Sequence, residues 1–256
     1  MSARRSGGAH TSRTMLVNDL RAVLTACPTS SSLAEYRCAV VDDNVAGKSS
    51  RSGRERTFRY LRELYGLDLA HPEFRAFLRL WSRDTDGRPL LALLMACSRD
   101  AALFATSPPV LNAPEGSVVT SHDLAAAVED AYPGSYSEAV RDKIGRNALS
   151  SWRQAGFLSS SGRLPATRQW PTVTPGALAM ALVIGSDTEV SGERLFATPA
   201  ATLLDLPLAR LHDLAHDAAR KGLLEYRSRG QVTEIDLGAL TAGPDDPRLP
   251  IGGDSP

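Results

Sequence analysis

The basic residues of this sequence are unevenly spread, and the densest group lies between residues 48 and 62. Beside one acidic residue, Glu55, this stretch holds a run of cations: Lys48, Arg51, Arg54, Arg56, Arg59 and Arg62. Clustered cations of this kind neutralise phosphates and release counterions from nucleic acid. Ser50 stands where a helix is predicted to start, and its hydroxyl can donate a hydrogen bond to a phosphate oxygen. The pattern predicts contacts with a DNA backbone.

A second candidate surface lies on a helix that the sequence predicts between Ser135 and Ala155. Apolar residues recur on one side of it at four-residue steps: Val140, Ile144, Ala148 and Trp152. The opposite side is basic and polar, with Lys143, Arg146, Ser150 and Arg153. Such a helix packs with one face and can enter the major groove with the other, where arginine contacts guanine edges or phosphate. Arg163 and Arg168, in a hairpin predicted beside this helix, extend the candidate DNA-binding set.

Both groups also fit an ordinary protein surface. Charged outer faces are the rule for solvated helices, so the face that carries Lys143 and Arg146 need not bind anything. The arginines of the first group have candidate ion-pair partners in Asp42, Asp43 and Glu63. The formal net charge of +0 excludes a uniformly basic protein, so any nucleic-acid binding must come from local patches.

Residues suited to catalysis or metal binding do not form a recognisable motif. His212 and His216 are four residues apart beside Asp213 and Asp217, but an H-E-x-x-H frame and a third ligand are absent. The sequence also lacks the G-x-x-x-x-G-K and G-x-G-x-x-G phosphate loops and the G-x-S-x-G elbow. We therefore predict no catalytic residue, no metal, no cofactor and no enzymatic activity.

The three cysteines, Cys27, Cys38 and Cys97, are odd in number and lack the spacing of metal ligands. They predict reduced structural thiols and hence a cytoplasmic protein. Residues 1–13 lack the apolar stretch of a secretory signal. The longest apolar run, Leu90 to Cys97, is too short for a bilayer span, so it predicts a core helix and no membrane association.

The elements that must position the basic residues are predicted to be helices, because apolar residues recur at three- and four-residue spacing. A first helix is predicted from about Met15 to Ala26. Capping boxes at Ser32 with Glu35 and at Ser52 with Glu55 predict the starts of two more helices, which end at Gly47 and Gly66. Further helices are predicted to begin at Pro72 and Pro89. The predicted fold class is mainly α, in helical domains with helix-turn-helix or winged-helix modules and short β-hairpin wings.

Two stretches predict winged helices. In the first, a helix capped by Ser121 is followed by the helix from Ser135 to Gly156 and by a hairpin around Ser159 to Gly162. In the second, helical segments after Ser191 precede a hairpin between Leu223 and Leu237. Helix, helix and wing therefore follow each other twice along the chain.

The helix before the second hairpin has an outer face of mixed charge: Arg210, Asp213, Asp217 and Arg220. Because carboxylates repel DNA, we predict that this face contacts protein instead. Lys221, Arg227 and Arg229 form a basic corner through which the second hairpin could touch phosphates.

Composition changes along the chain predict five segments. Residues 1–13 are predicted as a flexible basic tail, 14–105 as an N-terminal helical domain with a helix-turn-helix, and 106–117 as an exposed, proline-rich connection. Residues 118–240 are predicted as a C-terminal winged-helix-like region, and 241–256 as a flexible tail.

The order of these features from about Leu33 to Leu237 resembles the BrxA family, a small component of the BREX bacteriophage-defence systems. The resemblance lies in Gly47-Lys48-Ser49-Ser50 before an arginine-rich helix with Tyr60, Trp81 ahead of an apolar helix ending Ser98-Arg99-Asp100, the serine-capped helix ending Trp152 to Leu158, and the closing helix with Gly222-Leu223-Leu224 before a wing. It implies an all-helical protein with winged modules near both ends, binding to double-stranded DNA, a role in anti-phage defence and no catalysis. For DNA contacts it extends only to the basic positions around Lys48 to Arg62 and Lys143 to Arg153.

The leading hypothesis is a non-catalytic, double-stranded DNA-binding component of a BREX-type defence system, with other proteins of that system as further candidate partners. A winged-helix transcriptional regulator is the first alternative, and it would be expected to dimerise on half-sites about one helical turn apart. A scaffold that binds only proteins of a defence complex is the second. Fold alone separates none of the three.

Overall fold

The computed structural model describes residues 8–159, 165–186, 190–230 and 232–243. Within them the chain is mainly helical and has one two-stranded antiparallel sheet, which confirms the predicted fold class. The helices are α1 (Val17–Ala26), α2 (Leu33–Val41), α3 (Arg51–Tyr65), α4 (Pro72–Arg83), α5 (Arg88–Arg99), α6 (Ala101–Ala105), α7 (Pro108–Leu111), α8 (Ser121–Ala131), α9 (Glu138–Gln154), α10 (Pro175–Ser186), α11 (Pro199–Thr202), α12 (Leu208–Arg220) and α13 (Gly238–Thr241). The strands are β1 (Glu225–Arg229) and β2 (Val232–Asp236), and short 3-10 helices cover Ala9–Thr11 and Gly192–Ala197.

The capping residues decide where the first helices begin. The predicted box of α2 is present, since the side chains of Ser32 and Glu35 each accept a hydrogen bond from the other's backbone N–H. In α3 the cap is Ser50, which accepts from the backbone N–H of Gly53 at 3.1 Å. The predicted box at Ser52 is wrong because Ser50 is the last residue with an extended backbone and Ser52 already lies inside the helix.

The same shift of the cap occurs at α8 and α9. Thr120, with Asp123, caps α8 in place of the predicted Ser121. α9 begins after Ser137, and Gly134 in the turn between the helices has φ of 67°, which favours glycine. Several neighbouring serines and threonines can serve as a cap, so the spacing of residue types leaves one or two positions open.

The helices form two compact units that are interleaved along the chain. The first comprises Met1–Leu67 and Ala92–Thr172, and the second Asp68–Leu91 and Val173–Pro256. This differs from the predicted succession of one domain at 14–105 and another at 118–240. Local composition marks exposed turns, whereas the membership of a unit depends on which distant segments pack together.

The first half of the predicted connection at 106–117 packs into the first unit, whereas residues 112 and 114–116 are exposed. Thr106 and Ser107 are buried, and α7 packs against α8. The buried hydroxyl of Thr106 accepts a hydrogen bond from Trp152 Nε1 at 2.8 Å. Pro108 and Pro109 lie in the short helix α7, so the exposed part of the predicted connection lies mainly in its second half.

A winged-helix arrangement is built on α8 and α9 in the first unit. The helices pack around a cluster of Ala102, Val128 and Ile144, which Tyr136 and Val140 cover. Three short extended segments, 117–119, 157–159 and 165–169, lie beside the two helices. The segment 165–169 lies between the other two and forms one antiparallel bridge with each, Thr167 with Val118 and Arg168 with Leu158.

The residues before α1 are folded onto the first unit. Ala9 and His10 are buried in the 3-10 helix Ala9–Thr11, which packs against α3, α6 and α9. The prediction of a flexible tail over residues 1–13 is therefore wrong from Gly8 onwards, and residues 1–7 lie outside the described residues. Polar partners for His10, given below, explain why this segment is bound.

The second unit is centred on α10. This helix is apolar and buried on nearly all sides, and it packs against α4, α11 and α12. The hairpin of β1 and β2 follows α12, with Glu225 opposite Asp236 and Arg229 opposite Val232. The hairpin predicted between Leu223 and Leu237 is thereby confirmed.

Two arginines of α4 hold the end of α13. Arg75 Nε donates to the carbonyl oxygen of Thr241 at 2.9 Å and to that of Ala242 at 3.0 Å. Arg79 donates to the carbonyl oxygens of Leu240 at 2.5 Å and Ala242 at 2.9 Å. Cations suit the carbonyls at a helix C-terminus. Thr241 and Ala242 of the predicted tail are therefore bound, and residues 244–256 lie outside the described residues.

Over the described residues, no single helix has the length and hydropathy needed to cross a membrane. By length and composition alone, the bent pair Arg88–Arg99 and Ala101–Leu111 would meet that requirement together.

Candidate nucleic-acid interface

α9 is the second helix of a helix-turn-helix, the helix that enters the major groove in DNA-binding proteins with this motif. Its packed face is the predicted one, since Ile144, Ala148 and Trp152 are 0% exposed. Lys143 and Arg146 are exposed on the opposite side. Within the part of the chain that the structure describes, neither has an ion-pair partner.

Ser150 and Arg153 share that outer side but are half-buried. Ser150 Oγ accepts a hydrogen bond from Gln154 Nε2 at 3.1 Å, and Nε of Arg153 is buried. Asp142, exposed beside Lys143, adds a negative charge to the face. The accessible basic surface of α9 is therefore narrower than predicted and consists mainly of Lys143 and Arg146.

The predicted contribution of the first wing is not supported at Arg168. This residue is 1% exposed, and its guanidinium carbon lies 5.3 Å from the ring centre of Phe157 and 4.7 Å from that of Trp170. A guanidinium held between two aromatic rings cannot reach a phosphate, so the prediction that Arg168 binds DNA is wrong. Arg163 lies outside the described residues.

Ion pairs occupy part of the cluster between residues 48 and 62. Lys48 Nζ is 2.8 Å from Asp19 Oδ1. Arg51 lies between Asp42 and Glu55, at 3.5 and 3.4 Å from their carboxylate oxygens. For Arg51 the pair with Asp42 is one of those that the sequence offered as an alternative to DNA contact, although an exposed pair of this kind is weak. The pair of Lys48 with Asp19 was not among them.

The remaining cations of α3 differ in accessibility. Arg54 is half-buried and donates to the carbonyl oxygen of Asp42 at 3.5 Å. Arg56, Arg59 and Arg62 are exposed. Among the described residues, Arg56 and Arg62 have no ion-pair partner, so their charges remain available to an external anion.

Two further residues, Tyr60 and Arg13, belong to the α3 surface although they are not among the predicted DNA-binding residues. Arg59 Nη2 donates to the Tyr60 hydroxyl at 3.0 Å, and its guanidinium lies 4.8 Å from the ring centre. Partial burial raises the pKa of Tyr60, but hydrogen bonds from Ser12 and Arg59 and the charges of Arg59 and Arg13 outweigh it and lower the pKa below its usual value. The positive charges of Arg59 and Arg13 thus both act on this phenol.

Close contact between α8 and α9 depends on Gly145. A Cβ at this position would lie 2.1 Å from the carbonyl oxygen of Ser121 and 3.2 Å from Ala125. Only glycine lets the two helices approach so closely, because any other side chain would push against the backbone of α8. Gly145 therefore helps to set the orientation in which Lys143 and Arg146 face outwards.

A buried polar network ties the N-terminal segment to α9. His10 Nδ1 is 2.9 Å from Asp100 Oδ2, and His10 Nε2 is 2.8 Å from Ser151 Oγ. All three residues are at most 1% exposed. This group could not be found from the sequence, because its members are 90 and 141 positions apart and no local pattern connects them.

The order of the atoms in this network is that of a Ser–His–Asp triad, but its surroundings are those of a structural anchor. Ser151 Oγ also accepts the backbone N–H of Met15 at 2.9 Å, and it is 0% exposed, so a substrate cannot reach it. Burial raises the pKa of Asp100, yet the hydrogen bonds and charge of His10 outweigh it and hold the pKa below its usual value.

The helix before the hairpin of the second unit, α12, presents a neutralised outer face. Arg210 Nη1 is 3.0 Å from Asp213 Oδ2, and Arg220 pairs with Asp217. All four side chains project from α12. The arginines of this face are therefore compensated by neighbouring carboxylates, unlike Lys143 and Arg146 on α9.

His212 and His216 belong to an aromatic cluster in the second unit. His212 Nδ1 is 2.5 Å from the Tyr226 hydroxyl and its ring packs against Phe196, while His216 meets the Tyr226 ring edge-on. Over the residues that can be described, no group of three metal-ligating side chains is gathered in one place. These histidines thus fasten the hairpin to α12.

No protein-family model matches the chain, and no curated protein matches it. The arrangement of the basic residues must therefore be interpreted from its own geometry.

Proposed function

We propose that this chain binds double-stranded DNA and catalyses no reaction, with α9 as the helix that enters the major groove. The observation that carries the proposal is the exposure of Lys143 and Arg146 on the outer face of the second helix of a helix-turn-helix. Since no carboxylate pairs with either cation among the described residues, both keep their charge for an incoming phosphate or base.

The two cations of α9 suit different contacts. A lysine ammonium is a compact point charge that fits a phosphate, whereas the planar guanidinium of Arg146 can bind O6 and N7 of guanine with two hydrogen bonds. Lys143 would thus contribute affinity for any duplex, and Arg146 would add sequence preference. Exposed Arg56, Arg59 and Arg62 of α3 supply further contacts to the backbone.

The test is a salt titration of binding to several unrelated duplexes, followed by fluorescence anisotropy. A double variant with Lys143→Ala and Arg146→Ala should bind at least about ten-fold more weakly, since each good base contact contributes about 1–3 kcal/mol. The slope of log affinity against log salt should become shallower by about two if both contact phosphates.

The matched control is a double variant in the second module, Arg210→Ala with Arg220→Ala. It removes the same number of exposed cations, but these are already paired with Asp213 and Asp217, so binding should stay close to that of the unmodified protein. Equal loss in both double variants would show a non-specific charge effect, and no loss in either would refute the role of α9.

The absence of catalysis is tested with the purified protein, duplex DNA, divalent cations and ATP. We expect neither strand cleavage nor release of phosphate, because the buried His10–Asp100–Ser151 network is closed to substrates and His212 is engaged by Tyr226. Metal-dependent cleavage that disappears in a His212→Ala variant would overturn this part of the proposal.

We further propose that DNA binding serves a bacteriophage-defence system of the BREX type. The resemblance of residues 33–237 to the BrxA family supports this step, together with the two winged modules. In a host that relies on such a system, the gene carrying Lys143→Ala and Arg146→Ala should restore phage resistance poorly after deletion of the original copy. Full restoration by this variant would separate DNA binding from defence.

One observation favours a second candidate function, a scaffold for proteins of the defence complex. The charges on the outer face of α12 cancel in pairs, and such a face suits another protein better than it suits DNA. Reversal of charge by Asp213→Arg and Asp217→Arg should then abolish complex formation while DNA binding persists. If instead Lys143→Ala and Arg146→Ala alone abolish complex formation, the protein contact lies on α9.

A further inference from the structure

One segment of the first unit bonds to both helices that carry exposed cations. We call Gly8–Met15 the N-terminal strap. On α9, Ser151 Oγ lies 2.8 Å from His10 Nε2, and Asn147 Nδ2 donates to the carbonyl oxygen of His10 at 2.8 Å. On α3, the buried hydroxyl of Tyr65 donates to the carbonyl oxygen of Met15. The strap therefore links α3 and α9 within one compact unit.

The edges of the two helices that border the strap are basic. Lys143 precedes Asn147 by four positions, so the two side chains share one side of α9. On α3, which packs against the 3-10 helix of the strap, Ser12 helps to lower the pKa of Tyr60, and Arg56 precedes Tyr60 by four positions. Lys143 and Arg56 thus each lie one turn away from a residue that faces the strap.

The strap carries a cation of its own between these edges. Arg13 is exposed, and its charge reaches Tyr60, as does that of Arg59. Half-buried Glu63, one turn after Tyr60, contributes a negative charge to this edge of α3. The exposed Arg13, Arg56 and Arg59 outnumber it, so the net charge from α3 to the strap is positive.

The position of Arg13 is fixed rather than free. Its backbone N–H donates to the carbonyl oxygen of Ala9 at 2.8 Å, and Met15, two residues on, is bonded through both its N–H and its carbonyl oxygen. Leu16 adopts φ of 54° directly afterwards, a left-handed conformation that is unfavourable for leucine and persists only where the surroundings impose it. The backbone that carries Arg13 therefore loses little entropy on binding.

We propose that Arg13 contacts phosphate and that, with Arg56 and Arg59 of α3 and Lys143 of α9, it forms a continuous strip that binds one duplex. The inference rests on the proposed DNA-binding function and adds a residue and a course for the backbone to it. Duplex DNA is favoured over a protein partner because, within the part of the chain that the structure describes, no large exposed apolar side chain belongs to the strip; those side chains are Val118, Trp170, Leu208 and Val232. Protein interfaces usually have an apolar core.

The first test is Arg13→Ala, with binding to a duplex of random sequence measured across a range of salt concentrations. We expect affinity to fall about three- to ten-fold at low salt and the log–log salt slope to become shallower by about one, the effect of one lost phosphate contact. Arg21→Ala is the matched control, because Arg21 is also an exposed arginine near the N-terminus, on α1. It should leave both quantities unchanged.

The outcomes separate this inference from the function on which it rests. If the unmodified protein binds no duplex, the proposed function fails. If Lys143→Ala and Arg146→Ala weaken binding while Arg13→Ala binds as the unmodified protein does, the function stands and the strip is overturned. If Arg13→Ala retains DNA binding but loses a protein of the defence complex, the strap is a protein-binding surface and the inference is also overturned.

A second measurement tests whether α3 and α9 bind the same duplex. Titration with a short duplex at concentrations well above the dissociation constant should saturate at one duplex per chain. Saturation at two duplexes per chain, with Arg59→Ala and Lys143→Ala each removing one of them, would show two separate sites instead of a continuous strip.

Discussion

Exposure to solvent and pairing with a carboxylate decide whether a basic side chain of this protein stabilises the fold or can bind a partner. Lys48 is about one-third exposed and sits beside Asp19, so it serves mainly to hold α1 near the start of α3. Arg168 is buried between aromatic rings and serves the fold. Lys143 and Arg146 are exposed and unpaired within the described residues, so their charges are the ones that can act on a partner.

Asp100 is expected to make the stability of the protein depend on pH. Its pKa in the folded chain lies below the ordinary value of 3.8, because the bonds and charge of His10 outweigh the opposing effect of burial. The folded state therefore binds this proton less readily than the unfolded state does. The resulting stabilisation is complete well above pH 4 and is lost as the pH falls through the folded pKa.

Urea denaturation between pH 2.5 and 7 measures this effect in the unmodified protein and in Asp100→Asn. The variant should be less stable at pH 7, and its free energy of unfolding should decline less steeply on acidification. Parallel curves for the two proteins would show that another carboxyl group governs the acid transition.

The three thiols are expected to differ in reactivity. Burial raises the pKa of Cys97 well above its ordinary value, and the charge of Asp43 is the main cause of the raised pKa of exposed Cys38. The thiolate is the reactive form of cysteine. Exposed Cys38 should therefore be the first of the three to be alkylated, although more slowly than a thiol with an ordinary pKa. Buried Cys97 should be alkylated only after unfolding. Peptide mapping after brief alkylation checks the order; Asp43→Asn should accelerate the reaction at Cys38, and an unchanged rate would contradict this account.

At the scale of elements, the helix-turn-helix depends on the close crossing of α8 and α9. Gly145 permits it, Gly134 turns the chain between the helices, and the cluster of Ala102, Val128 and Ile144 fills the space beneath. The strap adds bonds from the other side of α9 at Asn147. α9 is therefore held from two sides. A helix that presents cations to a partner in a fixed orientation requires such support.

Gly145→Ala should destabilise the first unit. The new Cβ would lie 2.1 Å from the carbonyl oxygen of Ser121, and overpacking of this kind typically costs about 1–3 kcal/mol. That loss should exceed the roughly 1 kcal/mol that alanine gains over glycine in helix propensity. Chemical denaturation measures the net change, with Ser150→Ala on the outer side of the same helix as a control; a more stable Gly145→Ala protein would contradict the crossing described.

At the scale of the whole molecule, the interleaving of the two units makes the fold depend on pieces of chain that are far apart in sequence. The first unit needs residues from before Leu67 and after Ala92, and the second needs Asp68–Leu91 as well as the segment after Val173. A cut between residues 105 and 106, where composition predicts a boundary, would separate α8 and α9 from Ala102 and from His10.

A fragment of residues 106–243 is therefore not expected to fold by itself. Its α9 would expose the face that packs on Ala102, and its α10 would lack α4. Circular dichroism with thermal melting should show low helicity and no cooperative transition, in contrast to the full chain. A cooperative melt with full-chain helicity would mean that the sequence-predicted domain boundary is the physical one.

Removal of metals or addition of reductant should leave the full chain unchanged. The described residues gather no set of three metal ligands, and their cysteines are free. The thermal midpoint should therefore be the same with EDTA, with dithiothreitol and without either. A marked fall in the midpoint with EDTA would reveal a metal bound by the folded state.

Local features of this protein were determined by the sequence alone. The capping box of Ser32 with Glu35, the apolar face of α9 at Ile144, Ala148 and Trp152, and the hairpin between Leu223 and Leu237 all depend on residues a few positions apart. Backbone hydrogen bonding and side-chain periodicity act over that distance, so the residue types suffice to predict them. The mainly helical fold class followed from the same short-range rules.

Only the tertiary structure decided which charged side chains are exposed and unpaired, within the described residues, and which are buried or paired with other residues. The pairing of Lys48 with Asp19, the burial of Arg168 and the bonding of His10 to Asp100 and Ser151 each join segments whose proximity depends on the path of the whole chain. Side chains become buried or paired when segments that are distant in sequence pack together and exclude water. The spacing of residues along the sequence does not show which distant segments will be close in space. For this reason the basic pattern indicated DNA, while the strap that brings α3 and α9 together became visible only in the folded chain.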